Sequence, residues 1–295
     1  MPGTRDCLVT LVVGKKKVGK THTTIQMLDD IVRGDIANGI KPRKALIFDV
    51  NNEFSDFKFK GQQRAIKALY IRDIARFSSS NIIEIRRIRP YFDDGSRMST
   101  EDMSKVLAII MDNYRRGVLL VEDINKYVTD SINGDLIGNL ATARHIGLDV
   151  ICHYQQISRA GNPKLFGNAN FIRFHKTNDT VARHELKFQE KTELLQLAEN
   201  IVNYYYNVKG YEEDEKYKYF FLWVDVDESK IKAGNFKITD EDIERSINEY
   251  VSGNTTRLLK PLMQRLDLTT NKKVFASESE GIRYIIKQLK RTYFE

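Results

Sequence analysis

Cysteine is nearly absent from this 295-residue chain: there are two, Cys7 and Cys152, each inside an apolar stretch. Two such residues cannot supply a disulfide framework or a cysteine-rich metal site, and they read as small buried hydrophobes in a reducing compartment. Histidine is also scarce. His22, His145, His153, His175 and His184 show no ligand spacing such as HExxH, so no metal is expected beyond one carried by a nucleotide. No apolar run approaches the roughly 20 residues of a spanning helix. The opening stretch, MPGTRDCLVTLVV, is too short in its apolar part for a signal peptide. A soluble, cytoplasmic protein without membrane insertion is expected, and no internal repeat or low-complexity tract is visible.

What is present is a globular balance, 29% charged against 41% apolar residues, with a net charge of +7. The positive excess favours a polyanionic partner, although a solvated lysine-rich surface gives the same total. Much of it sits in the tail, where nine Lys or Arg face four Asp or Glu from Arg257 onward.

The most informative stretch is GKKKVGKT, Gly14 to Thr21, placed between an apolar run (Leu8 to Val13) and a segment of helical periodicity (Thr21 to Val32). Strand, glycine-bearing loop and helix in that order read as a phosphate loop. Gly14 and Gly19 allow close or left-handed backbone, and Lys20 supplies a cation for the β- and γ-phosphates. Thr21 supplies a hydroxyl for Mg²⁺. The nucleotide-binding set is Gly14, Lys15, Lys16, Lys17, Val18, Gly19, Lys20, Thr21 and His22.

Further buried strands are expected at 44–50, 117–128 and 148–154, with strands also at 81–90, whose polar face carries Arg86, and at 170–174, alternating with helices at 73–77, 99–116, 136–145 and 180–189. That alternation predicts an α/β fold: a P-loop NTPase of the RecA/ASCE kind, with a mostly parallel sheet flanked by helices. Residues 54–80 are otherwise expected to be loop. Later come a helix over 191–203, a strand over 217–226 and a helix over 239–250. Residues 253–295 read as a small, basic helical extension following an ATPase domain of residues 1–252.

Acidic and amide groups gather at strand ends, the edge where open α/β sheets bind ligands. Glu122 and Asp123 end the apolar run from Gly117, which makes them the Walker B candidates. Their register assigns Glu122 to the Mg²⁺ shell with Thr21, and Asp123 to the role of base. Alternation along the strand could swap the two. Gln155 ends the strand at 148–154 and is a candidate sensor of the γ-phosphate. Asp49 and Glu53 would lie near the loop if their strand neighbours the first. Ion pairs with Lys15 to Lys17 are their alternative role.

The order GKKKVGKT, IFDVNNEFSDF, RIRP, LLVEDI and ARHIGLDVICHYQQIS resembles the HerA/FtsK superfamily of nucleic-acid translocases, over about residues 7–190. The short chain looks most like the genome-packaging ATPases of viruses and phages, with HerA-type DNA-processing helicases close behind. The resemblance implies ATP and Mg²⁺ as cofactors, double-stranded DNA as partner and a homo-oligomeric ring, usually hexameric. It also implies a capsid or portal-vertex docking partner and, if viral, the cytoplasm of the host cell. An arginine from the adjacent subunit would complete the site, with Arg144, Arg159 and then Arg173 as candidates. Glu53 would assist Asp123 in activating water. The basic segments 54–89 and 257–291 are candidates for DNA or partner contact. Asn51-Asn52 stands where the superfamily commonly has glycine, and the Glu-Asp order is inverted. A ParA/MinD-like nucleotide switch is the alternative, suggested by Lys15 and Asp49.

Overall fold

The computed structural model describes residues 7–59, 62–124, 127, 143–266 and 273–295. The chain divides into two compact units, one formed by residues 1–171 and 177–179, the other by 172–176 and 180–295.

The first unit holds a parallel sheet of β1 (Val9–Val13), β2 (Ala45–Phe48), β5 (Ile85–Ile88), β6 (Val118–Val121) and β7 (Asp149–Tyr154), in the order β1-β7-β6-β2-β5. Strands β1, β2, β6 and β7 are buried along their whole length, which is why each reads as an unbroken apolar run rather than an alternation. On one face Val12, Ala45, Ile47, Val118, Leu120 and Ile151 pack with Ile25 and Leu28 of α1 (Lys20–Arg33). Each Val, Leu or Ile among them contributes about 1.5–3 kcal/mol on withdrawal from water, before entropy is counted.

Helix α2 (Ile74–Ser79) falls where the short helix was expected. Helix α3 (Thr100–Asn113) starts at a reciprocal cap, in which the Ser99 hydroxyl accepts from Asp102 N and the Asp102 carboxylate accepts from Ser99 N.

The condition for Asp49 to lie near the loop, that the second strand neighbour the first, is not met, because β7 and β6 intervene between β1 and β2. Asp49 consequently makes no ion pair with the loop lysines. It is fully buried and takes Arg87 Nη1 at 2.8 Å, Glu53 N at 2.8 Å and Phe54 N at 3.1 Å. Arg87 also donates to Asn52 Oδ1 at 2.8 Å and to Ile66 O at 3.1 Å. The turn 49–54 is thus stapled by one buried ion pair. Arg87→Ala leaves the Asp49 carboxylate buried and short of a charge partner, so a loss of about 3–5 kcal/mol is expected in denaturant unfolding. An unchanged midpoint would show that the turn is held by other means.

Part of the stretch expected as loop is a hairpin of β3 (Asp56–Phe59) and β4 (Gln62–Ala65). The helix expected over 136–145 lies mostly outside the described residues, and Ala143–Ile146 forms a single 3-10 turn.

In the second unit β8 (Phe171–His175), which enters it at Ile172, precedes β9 (Phe221–Asp225) and β10 (Lys230–Ala233), the last two antiparallel. The helix expected over 180–189 is two single turns, Val181–His184 and Glu185–Phe188, ended by Gln189 at φ 48°. The strand expected over 217–226 begins only at Phe221, after a 3-10 segment from Glu215 to Tyr219.

Helices α4 (Thr192–Tyr204), α5 (Asp240–Met263) and α6 (Glu278–Tyr293) complete this unit. The boundary expected at 252/253 falls within α5, beside a kink at Asn254 (φ −126°). The tail is tied to the unit by α4, because Glu193 accepts from Tyr250 Oη at 2.9 Å and from Tyr293 Oη at 2.7 Å. Gly253-Asn254 reads as a break in sequence, yet the helix absorbs it as a bend. Among the described residues no helix is long and apolar enough to cross a membrane.

Candidate active site

The loop leaves β1 at Gly14, whose N–H donates to Tyr154 O at 3.1 Å, and enters α1 at Lys20. Its left-handed residues are Lys17 (φ 66°) and Gly19 (φ 82°), so of the two expected roles for glycine, left-handed backbone falls to Gly19 and not to Gly14. Gly19 caps the helix in that conformation at no steric cost. Lys20 folds back over the loop, its ammonium donating to Gly14 O and, at 2.8 Å, to Lys15 O. The cation is therefore already positioned inside the curl of backbone at a helix N-terminus, where phosphate is favoured.

Around this loop a cavity of about 500 Å³ is lined by Lys16, Lys17, Val18, Gly19, Lys20, Thr21 and His22 on one side. Asn51, Glu53, Glu122, Asp123 and Gln155 line the other. The fold thus brings together the sequence-predicted set except Gly14 and Lys15, which shape the loop through their carbonyls, and Arg144. Arg144 lies in the turn Ala143–Ile146, and its side chain is not among those described. Arg159 is exposed in the turn Ile157–Ala160. Arg173, the third arginine candidate, is fully buried in the second unit with its guanidinium 5.6 Å from the Phe221 ring and 5.9 Å from the Trp223 ring. Burial pushes its pKa down to about 9, and a side chain so enclosed is not displayed to an adjacent subunit.

The two acids have different neighbours. Glu122, 5% exposed, directly follows β6 with Oε2 at 2.9 Å from His153 Nδ1, and His153 Nε2 is 2.8 Å from Thr24 Oγ1. Thr24 in turn donates to Lys20 O at 2.9 Å, so a buried chain links Glu122 to the helix that carries the loop. Asp123 stands in left-handed backbone at φ 43° and is gripped by two amides. Gln155 Nε2 donates to its Oδ1 at 3.0 Å and Oδ2 at 3.1 Å, and Asn51 Nδ2 donates to Oδ2 at 3.0 Å. Just beyond Gln155 the turn Ile157–Ala160 is held by Asp179, whose two oxygens accept from Ile157 N (3.0 Å) and Ser158 N (2.9 Å).

His153 and Asn51 were missed in the sequence. His153 is one polar residue inside an apolar run, and Asn51 precedes the acid that drew attention. His153→Phe keeps volume and removes the Thr24 bond and the 2.9 Å contact with Glu122, so a loss of about 1–3 kcal/mol is expected in thermal or denaturant unfolding. Wild-type stability would mean the chain contributes nothing net. Cys152, fully buried beside it, has its thiol pushed up to about 12 by burial and is no nucleophile at neutral pH.

Three lysines, Lys16, Lys17 and Lys20, and three acids, Glu53, Glu122 and Asp123, line one cavity. Phosphates held by the lysines would meet the carboxylates with like charge unless a cation came between them. The donor set fits Mg²⁺: a hydroxyl at Thr21, a carboxylate at Glu122 and phosphate oxygens, rather than an all-protein cage. Among the described residues no group of three or more His, Cys, Asp or Glu is placed to hold a metal alone. When bound, Mg²⁺ would neutralise charge on the phosphates.

No family model and no curated protein matches this chain. Among solved structures it is similar to the genome-packaging NTPase B204 of Sulfolobus turreted icosahedral virus 2 in complex with AMP. The identity is 17%, over 79% of this chain and 99% of that one, with a TM-score of 0.49. It is also similar to the N-terminal domain of zonular occludens toxin from Neisseria meningitidis, at 18% identity over 58% and 78% of the two chains and a TM-score of 0.31. A third is EccC of Thermomonospora curvata (ATPases 2 and 3), at 17% identity over 58% and 30%, also with a TM-score of 0.31. With β1, the loop and α1 in succession, and the Glu122-Asp123 strand β6 separated from β1 by β7 alone, the chain has the fold of a P-loop NTPase.

Proposed function

We propose that the protein is an ATP-driven nucleic-acid translocase that packages viral double-stranded DNA, hydrolysing ATP at the cavity around Gly14–Thr21. The observation that carries the hydrolytic part is the convergence of Lys20, Thr21, Glu122, Asp123, Gln155 and Glu53 on one cavity at the carboxyl edge of a parallel sheet. The loop amides and Lys20 hold the β- and γ-phosphates. Water attacks the γ-phosphorus, the bond to the bridging oxygen breaks, and Asp123 accepts the proton, with Glu53 at the mouth of the cavity assisting. For that, a water must take the place now filled by an amide on Asp123. Gln155 is suited to this exchange because it can turn from the carboxylate to the γ-phosphate.

Translocation rests on the order of sequence motifs and the net positive charge, and the ring and its trans-acting arginine come with that resemblance. Turnover should be measured with and without double-stranded DNA on a sample whose mass is determined in solution. DNA-stimulated turnover by a ring-sized species is the expected result. An ATP-dependent dimer indifferent to DNA would replace the motor with a nucleotide switch. Arg144 is tested by mixing Lys20→Ala with Arg144→Ala chains: partial recovery is expected if each supplies what the other lacks, and no recovery removes Arg144 from the site.

A further inference from the structure

A second cavity, of about 440 Å³, opens in the first unit between the segment around Tyr70 and the turn after β5. Its lining includes Asn52, Tyr70, Arg89, Tyr91, Phe92 and Asp93. Tyr70 is 50% and Phe92 38% exposed, and Arg89 is exposed as well. The guanidinium of Arg72 lies 4.8 Å from the Tyr70 ring centre, and its Nη1 donates to Asp93 Oδ2 at 2.8 Å across the opening. The rim's backbone is already committed: Leu69 N donates to Arg87 O, Phe92 N to Ser96 O, Gly95 N to Phe92 O and Met98 N to Pro90 O. A peptide strand would find few main-chain partners there. Recognition falls to aromatic faces and guanidinium groups, the chemistry that stacks a base and holds a phosphate.

This cavity shares one turn with the nucleotide site. Asn51 lines the first cavity and bonds to Asp123, while the next residue, Asn52 at φ 56°, lines the second and accepts from Arg87. Asp49 fixes both through its bonds to Arg87, Glu53 N and Phe54 N. A group entering the second cavity therefore presses on a rigid turn whose opposite side holds the carboxylate proposed as base.

We propose that the second cavity binds one nucleotide unit of a single polynucleotide strand, and that its occupancy is passed to Asp123 through residues 49–54. The base stacks on Tyr70 and Phe92 and the phosphate meets Arg89. Arg72 and Asp93 form an exposed pair, side chains 69% and 52% accessible, that the phosphate displaces at little cost. The coupling part rests on the ATPase reading above; the binding part does not.

The test uses the full chain and a fluorescent oligothymidylate of roughly 15 nucleotides, with a blunt duplex and free AMP as further arms. Anisotropy gives affinity, and ATP turnover with and without oligonucleotide is taken as a ratio to each variant's own basal rate. Tyr70→Ala and Arg89→Ala should each weaken oligothymidylate binding by on the order of 10-fold, with Tyr70→Trp restoring it. Asn52→Gly keeps the left-handed backbone and should bind as the wild type while losing the stimulated ratio. Unchanged affinity in both Tyr70→Ala and Arg89→Ala overturns the site. So does binding of the duplex alone, or of AMP as tightly as the oligonucleotide. A stimulated ratio retained in Asn52→Gly overturns the coupling. If the wild type hydrolyses no ATP, the ATPase reading fails and the coupling with it, while anisotropy still decides the cavity.

Discussion

Lys20→Ala abolishes ATP binding and lowers turnover by on the order of 10²–10³-fold or more. The expectation comes from what the side chain does before any ligand arrives. Its ammonium is drawn into the loop by Gly14 O and Lys15 O, so it occupies the centre of the curl that the β- and γ-phosphates would fill. Alanine removes that charge and leaves two loop carbonyls turned toward phosphate oxygens. Equilibrium binding of a fluorescent ATP analogue and steady-state phosphate release check the result. Wild-type turnover would remove the site from this loop. Because Lys20 is 9% exposed, thermal unfolding of the variant should be recorded alongside, so that loss of binding is not mistaken for loss of fold.

Asp123→Asn should bind ATP with near wild-type affinity while turnover falls by about 10²–10⁴-fold, the usual contribution of a positioned base. Asparagine keeps one oxygen to receive the amides of Asn51 and Gln155, so the local network is largely preserved. What disappears is the capacity to take a proton. Single-turnover hydrolysis with saturating enzyme separates this from a binding defect. Full activity would move the base to Glu122 or Glu53. A comparable loss in Glu53→Gln, with Asp123→Asn mildly affected, would make Glu53 the principal acceptor.

The parts legible in the sequence are those encoded within a few residues. The loop Gly14–Thr21 states its chemistry in eight positions. The strands around Val12, Ile47, Leu120 and Ile151 show as apolar runs because both faces of the sheet are covered. The helix that starts at the Ser99 cap was visible from its apolar spacing.

What could not be read depends on partners far along the chain. Strand order is one such property: whether β2 neighbours β1 is left open by the sequence, and the structure puts two strands between them. Asp49 therefore meets Arg87, 38 positions away, instead of the nearby lysines. His153 looked like an interruption in an apolar strand until β6 brought Glu122 to it. The hairpin at 56–65 was hidden by its basic, weakly alternating sequence. The polar run at 180–189 suggested one helix where Gln189 turns left-handed and closes a second short turn.

The placement of β7 between the loop strand and the acid strand has a mechanical consequence. The ends of β1 and β6 are separated by two strand spacings, about 9–10 Å, and only β7 terminates in the gap. Whatever follows β7 stands midway between phosphate cradle and carboxylates, within reach of both. Gln155 is that residue, and two positions later the backbone is clamped by Asp179. A shift of Gln155 by one hydrogen-bond length therefore has little slack to dissipate into. For the proposed γ-phosphate sensor this makes the strand end a short lever with a fixed pivot, and loss of the γ-phosphate would reach the neighbouring backbone as displacement.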